Sequence, residues 1–222
     1  MRKEIYLIRG KEKESYQDFS DRILNLAGDA VLKADPYTLK VTLTMAAPPV
    51  LSLIPFKKSK IAVISIKKDD HNVVGLLRDA DGFSGAFSAE EALPVKYENS
   101  WPRGEKTPGA CLLTLFHRKP GIGYDTFIDR WHNGHTPLSL KIHPLWNYNR
   151  NVILQKLTDH PCWYDGIVEE TTQTRGELLN PARFFGGGLS VLGNMISVYR
   201  DVRSFLDYKR IETYLVEEVH LV

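Results

Sequence analysis

The chain has 222 residues, enough for one large domain or two small ones, and its 43% hydrophobic and 25% charged residues are typical of a globular protein. A net charge of +2, with scattered lysine and arginine, argues against a nucleic-acid partner, and no segment approaches the length needed to span a membrane. Cys111 and Cys162 lack metal-ligand spacing, and no export signal precedes them, so we expect reduced thiols, no membrane partner and a cytoplasmic protein.

The first half of the chain alternates short apolar runs with amphipathic segments. Apolar residues recur every three or four positions from Tyr16 to Ala27, which predicts a helix, and alternate from Leu39 to Met45, which predicts a strand. The predicted strands cover 5–8, 39–45, 61–66 and 93–97, and the predicted helices cover 16–27 and 73–80.

A Pro- and Gly-rich linker around residues 100–109 separates this half (1–99) from a second one (110–222), in which the order restarts. The second half has predicted strands at 110–117, 148–157, 164–170 and 213–221, and predicted helices at 124–134 and 137–143. An extended insertion, Thr172 to Tyr208, contains a glycine turn at 186–188 and an apolar helical stretch at 189–206.

Each half follows the order β-α-β-β-α-β, which is the ferredoxin-like order. The sequence therefore predicts an α+β fold, in which two ferredoxin-like halves turn their antiparallel sheets towards each other as an intramolecular α/β barrel. A faint repeat supports the duplication, because 19–32 matches 127–140 at a constant offset of 127 − 19 = 108 residues. Leu24 and Ala27 of the first copy become His132 and His135 in the second, so the first half is interpreted as a degenerate copy.

His135 is the leading candidate for chemistry. It continues the apolar stripe of Phe127 and Trp131, which predicts a partly buried imidazole with a tunable pKa. Gly134 is expected to end the helix in a left-handed conformation, and Thr136-Pro137 to begin a new one. The alternative is a core histidine bound to a backbone carbonyl. No carboxylate or thiolate set completes a metal site, so no metal is predicted.

Other polar residues are predicted to line a ligand site. Tyr148 and Asn151 are suitable donors to a carbonyl or phenolate oxygen, although alternation puts them on opposite faces of their strand. An edge strand with solvated residues is the alternative. His117, Trp131 and Glu218 are predicted ligand contacts, with Glu218 in the barrel interior or simply at a charged strand end.

Several of these motifs together resemble the EthD-like family of the dimeric α/β-barrel superfamily. The resemblance covers residues 110–222 and rests on these motifs: Leu115-Phe-His-Arg-Lys-Pro-Gly121, Phe127-x-x-x-Trp131-x-x-x-His135-x-Pro137, His143-Pro144, Tyr148-x-x-Asn151-Val152, Tyr164-Asp-Gly-Ile-Val-Glu169 and Leu215-Val-Glu-Glu218. It implies a ferredoxin-like fold, and it matches the family's recurrent histidine to His135 and its Tyr/Asn strand pair to Tyr148 and Asn151. Relatives include helpers of hydroxylase systems, cofactor-free enzymes of aromatic and polyketide metabolism, and haem-binding barrels.

The hypothesis that follows is a cofactor-independent enzyme of the lyase, isomerase or monooxygenase type. Its substrate would be a small aromatic or enolisable carbonyl compound, with His135 as general acid or base. One alternative is a non-catalytic ligand-binding or accessory protein of a catabolic oxygenase pathway, and another is a haem-binding barrel. The sequence leaves undecided whether two copies of the fused chain form a homodimer.

Overall fold

The computed structural model describes residues 2–31, 35–68 and 73–222, which form an eight-stranded closed barrel with helices on its outside. The strands are β1 (Arg2–Arg9), β2 (Thr38–Leu43), β3 (Ile61–Lys68), β4 (Phe83–Val95), β5 (Ala110–Phe116), β6 (Leu145–Lys156), β7 (Gly166–Thr172) and β8 (Glu212–His220). The helices are α1 (Tyr16–Leu26), α2 (Val74–Leu77), α3 (Tyr124–Asp129), α4 (Thr136–Ile142), α5 (Arg175–Leu179), α6 (Pro181–Phe184) and α7 (Val191–Phe205). Among the described residues, no helix combines the length and the apolar character needed to cross a membrane.

All neighbouring strands are antiparallel, and their order around the barrel is β1-β3-β2-β8-β5-β7-β6-β4. The first four strands of the chain lie side by side as β4-β1-β3-β2, and the last four lie in the same relative order as β8-β5-β7-β6. The two groups join where β2 pairs with β8 and where β4 pairs with β6. The α+β class and the closed antiparallel barrel are therefore confirmed.

The offset seen in the sequence is also the spacing between the first strands and between the first helices of the two halves. Helices α1 and α3 begin at Tyr16 and Tyr124, which are 124 − 16 = 108 residues apart, and β1 and β5 begin at Arg2 and Ala110, which are also 110 − 2 = 108 apart.

Alternation along each strand separates an apolar barrel interior from the outer faces of the sheet. Leu7, Leu113 and Ile167 are among the side chains that pack inside the barrel. On the outside, Phe19 belongs to the core beneath the first-half helix, and Phe127 to the core beneath the second-half helices. The outer layer of the second half is where the candidate site lies.

The predicted strand at 93–97 is only the end of β4, which begins at Phe83. Gly85 and the pair Glu90 and Glu91 interrupt the apolar alternation. The full length of β4 is therefore not evident from the sequence. Pro94 falls in an irregular stretch between Ala92 and Val95, where the pairing with β6 changes register.

The predicted break after Gly134 is wrong. Residues 130–135 form a π-helical turn that joins α3 to α4 without interruption, and Gly134 does not adopt a positive φ. The backbone N–H of Thr136 donates to the carbonyl of Trp131, five residues back. Pro137 has no N–H to donate, and the wide turn accommodates it within the helix. Thr136 is consequently not an N-cap; its hydroxyl also donates to the Trp131 carbonyl at 3.0 Å.

A candidate acid–base cavity between sheet and helices

A cavity of about 270 Å³ lies between the outer face of the second-half sheet and the helices that cover it. This volume is near the lower end of the ~300–1,000 Å³ range typical of small-molecule sites. Apolar side chains from β5, β7, the π turn and α7 form most of the wall, among them Phe116, Trp131, Val168, Met195, Val202 and Phe205. Residues 53–55 of the first half also line the cavity, so both halves of the chain contribute to it.

His135 stands at the wall of this cavity with both ring nitrogens bonded. Its Nδ1 lies 2.7 Å from Oδ2 of Asp201 on α7, and its Nε2 lies 3.1 Å from Oγ of Ser139 on α4. A carboxylate on Nδ1 favours the tautomer that carries a proton there, which leaves Nε2 to accept from the Ser139 hydroxyl. If the ring becomes an imidazolium, the same hydroxyl can turn and accept. Asp201 and Ser139 therefore fix the ring from both sides.

The serine in this arrangement is a positioning group. Ser139 is fully buried and does not line the cavity, so a ligand in the cavity does not reach its hydroxyl. Its contact with Nε2 of His135 fixes the ring, as Asp201 does from the other side.

Glu170, on β7, is the residue that the sequence analysis missed. It lines the cavity and is 8% exposed, and its carboxyl makes no hydrogen bond or ion pair with any residue that the structure describes. Burial raises its pKa above the ordinary value, and the nearby His135 only partly opposes that shift. A buried carboxyl with a raised pKa can act as a proton acceptor or donor near neutral pH.

Tyr148 lies directly across from Glu170, because the two are register partners on β6 and β7. The ring of Tyr148 lines the cavity, and its hydroxyl is buried beside Thr136 and Trp131 and donates no hydrogen bond to a described residue. Burial, and secondarily the charge of Glu170, raise the pKa of Tyr148. The phenol is therefore neutral and keeps an unused proton for hydrogen bonding.

The sequence-predicted contact Trp131 forms part of the same wall. It is 1% exposed, and its ring lies 4.9 Å from that of Phe116 and 5.1 Å from that of His132. The Arg150 guanidinium lies 5.8 Å from the centre of the Trp131 ring, and both residues are on the outer face of the sheet. Burial lowers the pKa of the half-buried His132 to about 4, so that ring is neutral.

Asn151 is not brought together with His135, which corrects its predicted role beside Tyr148. Its side chain lies on the barrel side of β6 and donates to the carbonyl of Ile167 at 3.0 Å. Tyr148, three positions away, projects to the outer face. The strand alternation already visible in the sequence decides this point.

Glu218 and His117 also lie outside the cavity. Glu218 is 1% exposed inside the barrel, where it accepts from Lys40 Nζ at 3.0 Å and from Thr171 Oγ1 at 3.0 Å. His117 follows β5, and its ring lies 5.2 Å from that of Tyr164. Neither residue is placed to contact a ligand held beside His135.

A second cavity, of about 680 Å³, lies at the barrel mouth near Glu218. Lysines and glutamates that pair with each other surround it: Lys3 donates to Glu91 at 2.7 Å, and Lys40 donates to Glu169 at 2.6 Å. Among the described residues, no three His, Cys, Asp or Glu side chains are grouped as a metal site requires.

The haem-binding alternative does not fit the geometry at His135. An axial ligand needs a free ring nitrogen, and both nitrogens of His135 already have partners within 3.1 Å.

The fold is shared with solved structures of remote sequence. An anthrone oxidase-like protein matches with a TM-score of 0.59 at 8% identity, over 99% of this chain and 93% of its own. A proposed monooxygenase from Fusobacterium nucleatum matches with a TM-score of 0.50 at 9% identity, over 100% of this chain and 92% of its own. A chlorite dismutase from Candidatus Nitrospira defluvii gives 0.47 at 9% identity, over 99% and 92%. No protein-family model matches the sequence, and no curated protein matches it.

These likenesses show a shared barrel fold and no more, because identities this low do not carry function. The finer resemblance to the EthD-like family is not confirmed.

Proposed function

We propose that the cavity beside His135 binds a small aromatic or enolisable carbonyl compound and that the protein is a cofactor-independent enzyme that moves a proton on it. The observation that carries this proposal is the Glu170 carboxyl, buried without a partner in an apolar cavity. Leaving such a group without a protein partner costs up to about 1–3 kcal/mol of folding free energy. A ligand that supplies the missing partner accounts for that cost.

Each polar group at the wall has a role in such a reaction. Glu170 takes a proton from the carbon next to the carbonyl. The electron pair of the broken C–H bond forms the carbon–carbon double bond of an enolate, and the carbonyl π pair moves onto oxygen. The Tyr148 hydroxyl donates to that oxygen as its negative charge develops. Glu170 then returns a proton to the carbon, which regenerates its carboxylate. His135, held by Asp201 and Ser139, acts from the wall by favouring the charged form of Glu170.

The two parts of the chain have different tasks in this proposal. We interpret 1–99 and 110–222 as two ferredoxin-like copies, on the grounds of their shared strand order and the 108-residue spacing. Ala27 occupies the place of His135 in the first copy, so we assign a single site to the second. The first copy contributes a cover to that site: the Thr213 hydroxyl donates to the Pro55 carbonyl at 2.9 Å, and Phe56 pairs with the Thr213 backbone.

Solvent-deuterium uptake tests this function without knowledge of the natural substrate. The ketone 2-tetralone, which has acidic hydrogens next to its carbonyl, is incubated with the protein in D₂O and followed by NMR. We expect accelerated exchange with the wild type, a loss of about 10²–10⁴-fold in Glu170→Gln, and a smaller loss in His135→Asn. Glu217→Gln, at a carboxyl outside the cavity, is the matched control and should exchange as the wild type does.

The same experiment separates the alternatives. If saturation-transfer NMR shows that the ketone binds but its hydrogens do not exchange with D₂O, the alternative of a non-catalytic binding protein is favoured. Exchange that is equally fast in Glu170→Gln and the wild type would contradict the assignment of the base.

A further inference from the structure

Exposed apolar side chains are concentrated around the mouth of the cavity. Among the described residues, eight of the fourteen exposed large apolar residues fall in two segments, namely Val50, Leu51, Leu53, Leu189, Leu192, Ile196, Tyr199 and Tyr208. We call this set the mouth patch. Exposed contiguous apolar surface of this kind marks a place where something else binds.

The patch is continuous with the cavity itself. Leu53, Tyr199 and Tyr208 are exposed and also line the cavity, so they mark its mouth. Leu192 lies three and seven positions before the cavity-lining Met195 and Tyr199, on the same stripe of α7. Because Leu51 is 90% exposed and Leu192 71% exposed, both sides of the mouth present apolar surface to the outside.

The exposed charged side chains of the two patch segments are all positive. Residues 46–60 and 187–200 contain no aspartate or glutamate, whereas Lys57, Lys58 and Arg200 are exposed within them. Lys209 and Arg210 follow Tyr208 and are also exposed. Of the nearest carboxylates along the chain, Asp201 is bonded to His135 and Asp207 accepts from the backbone N–H of Lys209.

From this combination we infer that the mouth patch docks the protein on an anionic phospholipid surface. Exposed apolar side chains flanked by lysine and arginine are what a membrane interface selects, since the apolar groups enter the lipid and the cations meet the head groups. A second copy of the chain is a poorer occupant, because a two-fold interface would bring two like-charged faces together. The protein needs no spanning helix for this mode of binding.

Docking would place the cavity mouth against the bilayer. If the proposed function holds, the ligand is then an apolar compound that dissolves in the membrane and enters the cavity past Leu53 and Tyr199. The docking itself is independent of catalysis, so the two claims can fail separately.

Co-sedimentation of the full chain with vesicles tests the inference. We expect binding to vesicles that contain phosphatidylserine, weaker binding to phosphatidylcholine alone, and release by salt. Lys57→Gln combined with Lys58→Gln should weaken binding about 25-fold, at about fivefold for each lysine. Leu51→Glu combined with Leu192→Glu should weaken it about 100-fold or more.

Matched controls lie elsewhere on the surface. Leu154→Glu, at an exposed leucine outside the patch, and Lys13→Gln should bind vesicles as the wild type does, and so should the catalytic variant Glu170→Gln. Absence of vesicle binding by the wild type, or equal binding by the patch variants and the controls, would overturn the inference. A dimer in solution that Leu51→Glu with Leu192→Glu dissociates would overturn it in favour of a contact between copies.

Discussion

Glu169 and Glu170 are neighbours in β7, but they point into opposite environments. Glu169 faces the barrel interior, where Lys40 Nζ donates to it at 2.6 Å and Thr42 Oγ1 at 2.5 Å. Glu170 faces the outer cavity, where no described residue pairs with it. Burial opposes ionisation of Glu169, but the charges of Lys40 and Lys3 and the hydrogen bonds from Lys40 and Thr42 together lower its pKa. Burial raises the pKa of Glu170, where no such partners are present.

Removing the two charges should therefore have opposite effects on stability. Glu169→Gln weakens a buried ion pair and is expected to lower the free energy of unfolding by about 3 kcal/mol. Glu170→Gln removes an unpaired carboxyl whose folded-state pKa is raised. In the wild type that group binds more protons when folded than when unfolded, so its contribution falls as pH rises above about 4.5.

We expect Glu170→Gln to match the wild type below pH 4.5 and to exceed it at neutral pH, by about 1.4 kcal/mol for each unit of pKa elevation. Urea unfolding of both variants across this range measures the difference. A loss of stability in Glu170→Gln at neutral pH would show that its carboxyl has a partner after all.

Glycine substitutions test the continuous helix through the π turn. Gly134 has no positive φ, and an added Cβ would meet only Asp201 Oδ1, at 3.8 Å. Gly134→Ala should therefore stabilise the protein by about 0.4–1 kcal/mol. Gly109→Ala is the contrasting control, since Gly109 has φ +98° and an added Cβ would lie 1.9 Å from the Thr172 carbonyl oxygen. Destabilisation of about 1–3 kcal/mol is expected there. If denaturant titrations showed a comparable loss of stability in Gly134→Ala, a left-handed conformation of Gly134 at the end of the helix would be correct instead.

Asp201→Asn tests whether the orientation of His135 matters for chemistry. Asparagine keeps the size of the side chain but can no longer accept the Nδ1 proton in the same way, so ketone exchange should fall roughly 10²-fold. Because both side chains of this pair are partly exposed, the change in unfolding free energy should stay below about 1 kcal/mol. Asp129→Asn, on the helical segment that carries His135 and outside the cavity, serves as the control. Unchanged exchange in Asp201→Asn would leave His135 without a catalytic role.

His143 provides a pH test of the outer core. Its ring stacks on Phe184 with centroids 4.1 Å apart, Nδ1 bonds to the Phe184 carbonyl at 2.8 Å, and burial lowers the pKa to about 4. Between pH 4 and 6.5 the unfolded chain binds more protons at this residue than the folded one, so stability rises with pH by about 3 kcal/mol across that window. His143→Gln should flatten this slope, and His160→Gln should not. If the unfolding free energy of His143→Gln and of the wild type rose equally between pH 4 and 6.5, the ring of His143 would not be buried in its neutral form.

Most of the fold could be predicted because periodicity survives in the sequence. Alternation from Leu39 to Met45 and the helical stripe from Tyr16 to Ala27 each correspond to one observed element. The π turn could not be predicted, because its register depends on how the helix fits against α7 and on the missing N–H of Pro137.

The candidate site was predictable only in part. His135 stood out because an imidazole on an apolar stripe is conspicuous. Glu170 did not, because the predicted strand ended there, and a charged residue at a strand end is usually solvated. The observed β7 continues to Thr172, which carries Glu170 into the covered part of the sheet. Its environment depends on α7 and on residues 53–55, which are distant in sequence.

The location of the bound ligand is the most direct test of this account, and a crystal structure of the protein soaked with 2-tetralone measures it. We predict the ketone between the second-half sheet and α7, with its oxygen within hydrogen-bond distance of the Tyr148 hydroxyl and the adjacent carbon beside Glu170. Density for the ketone only at the barrel mouth beside Lys3 and Lys40, or an outer cavity closed by its own side chains, would contradict the account.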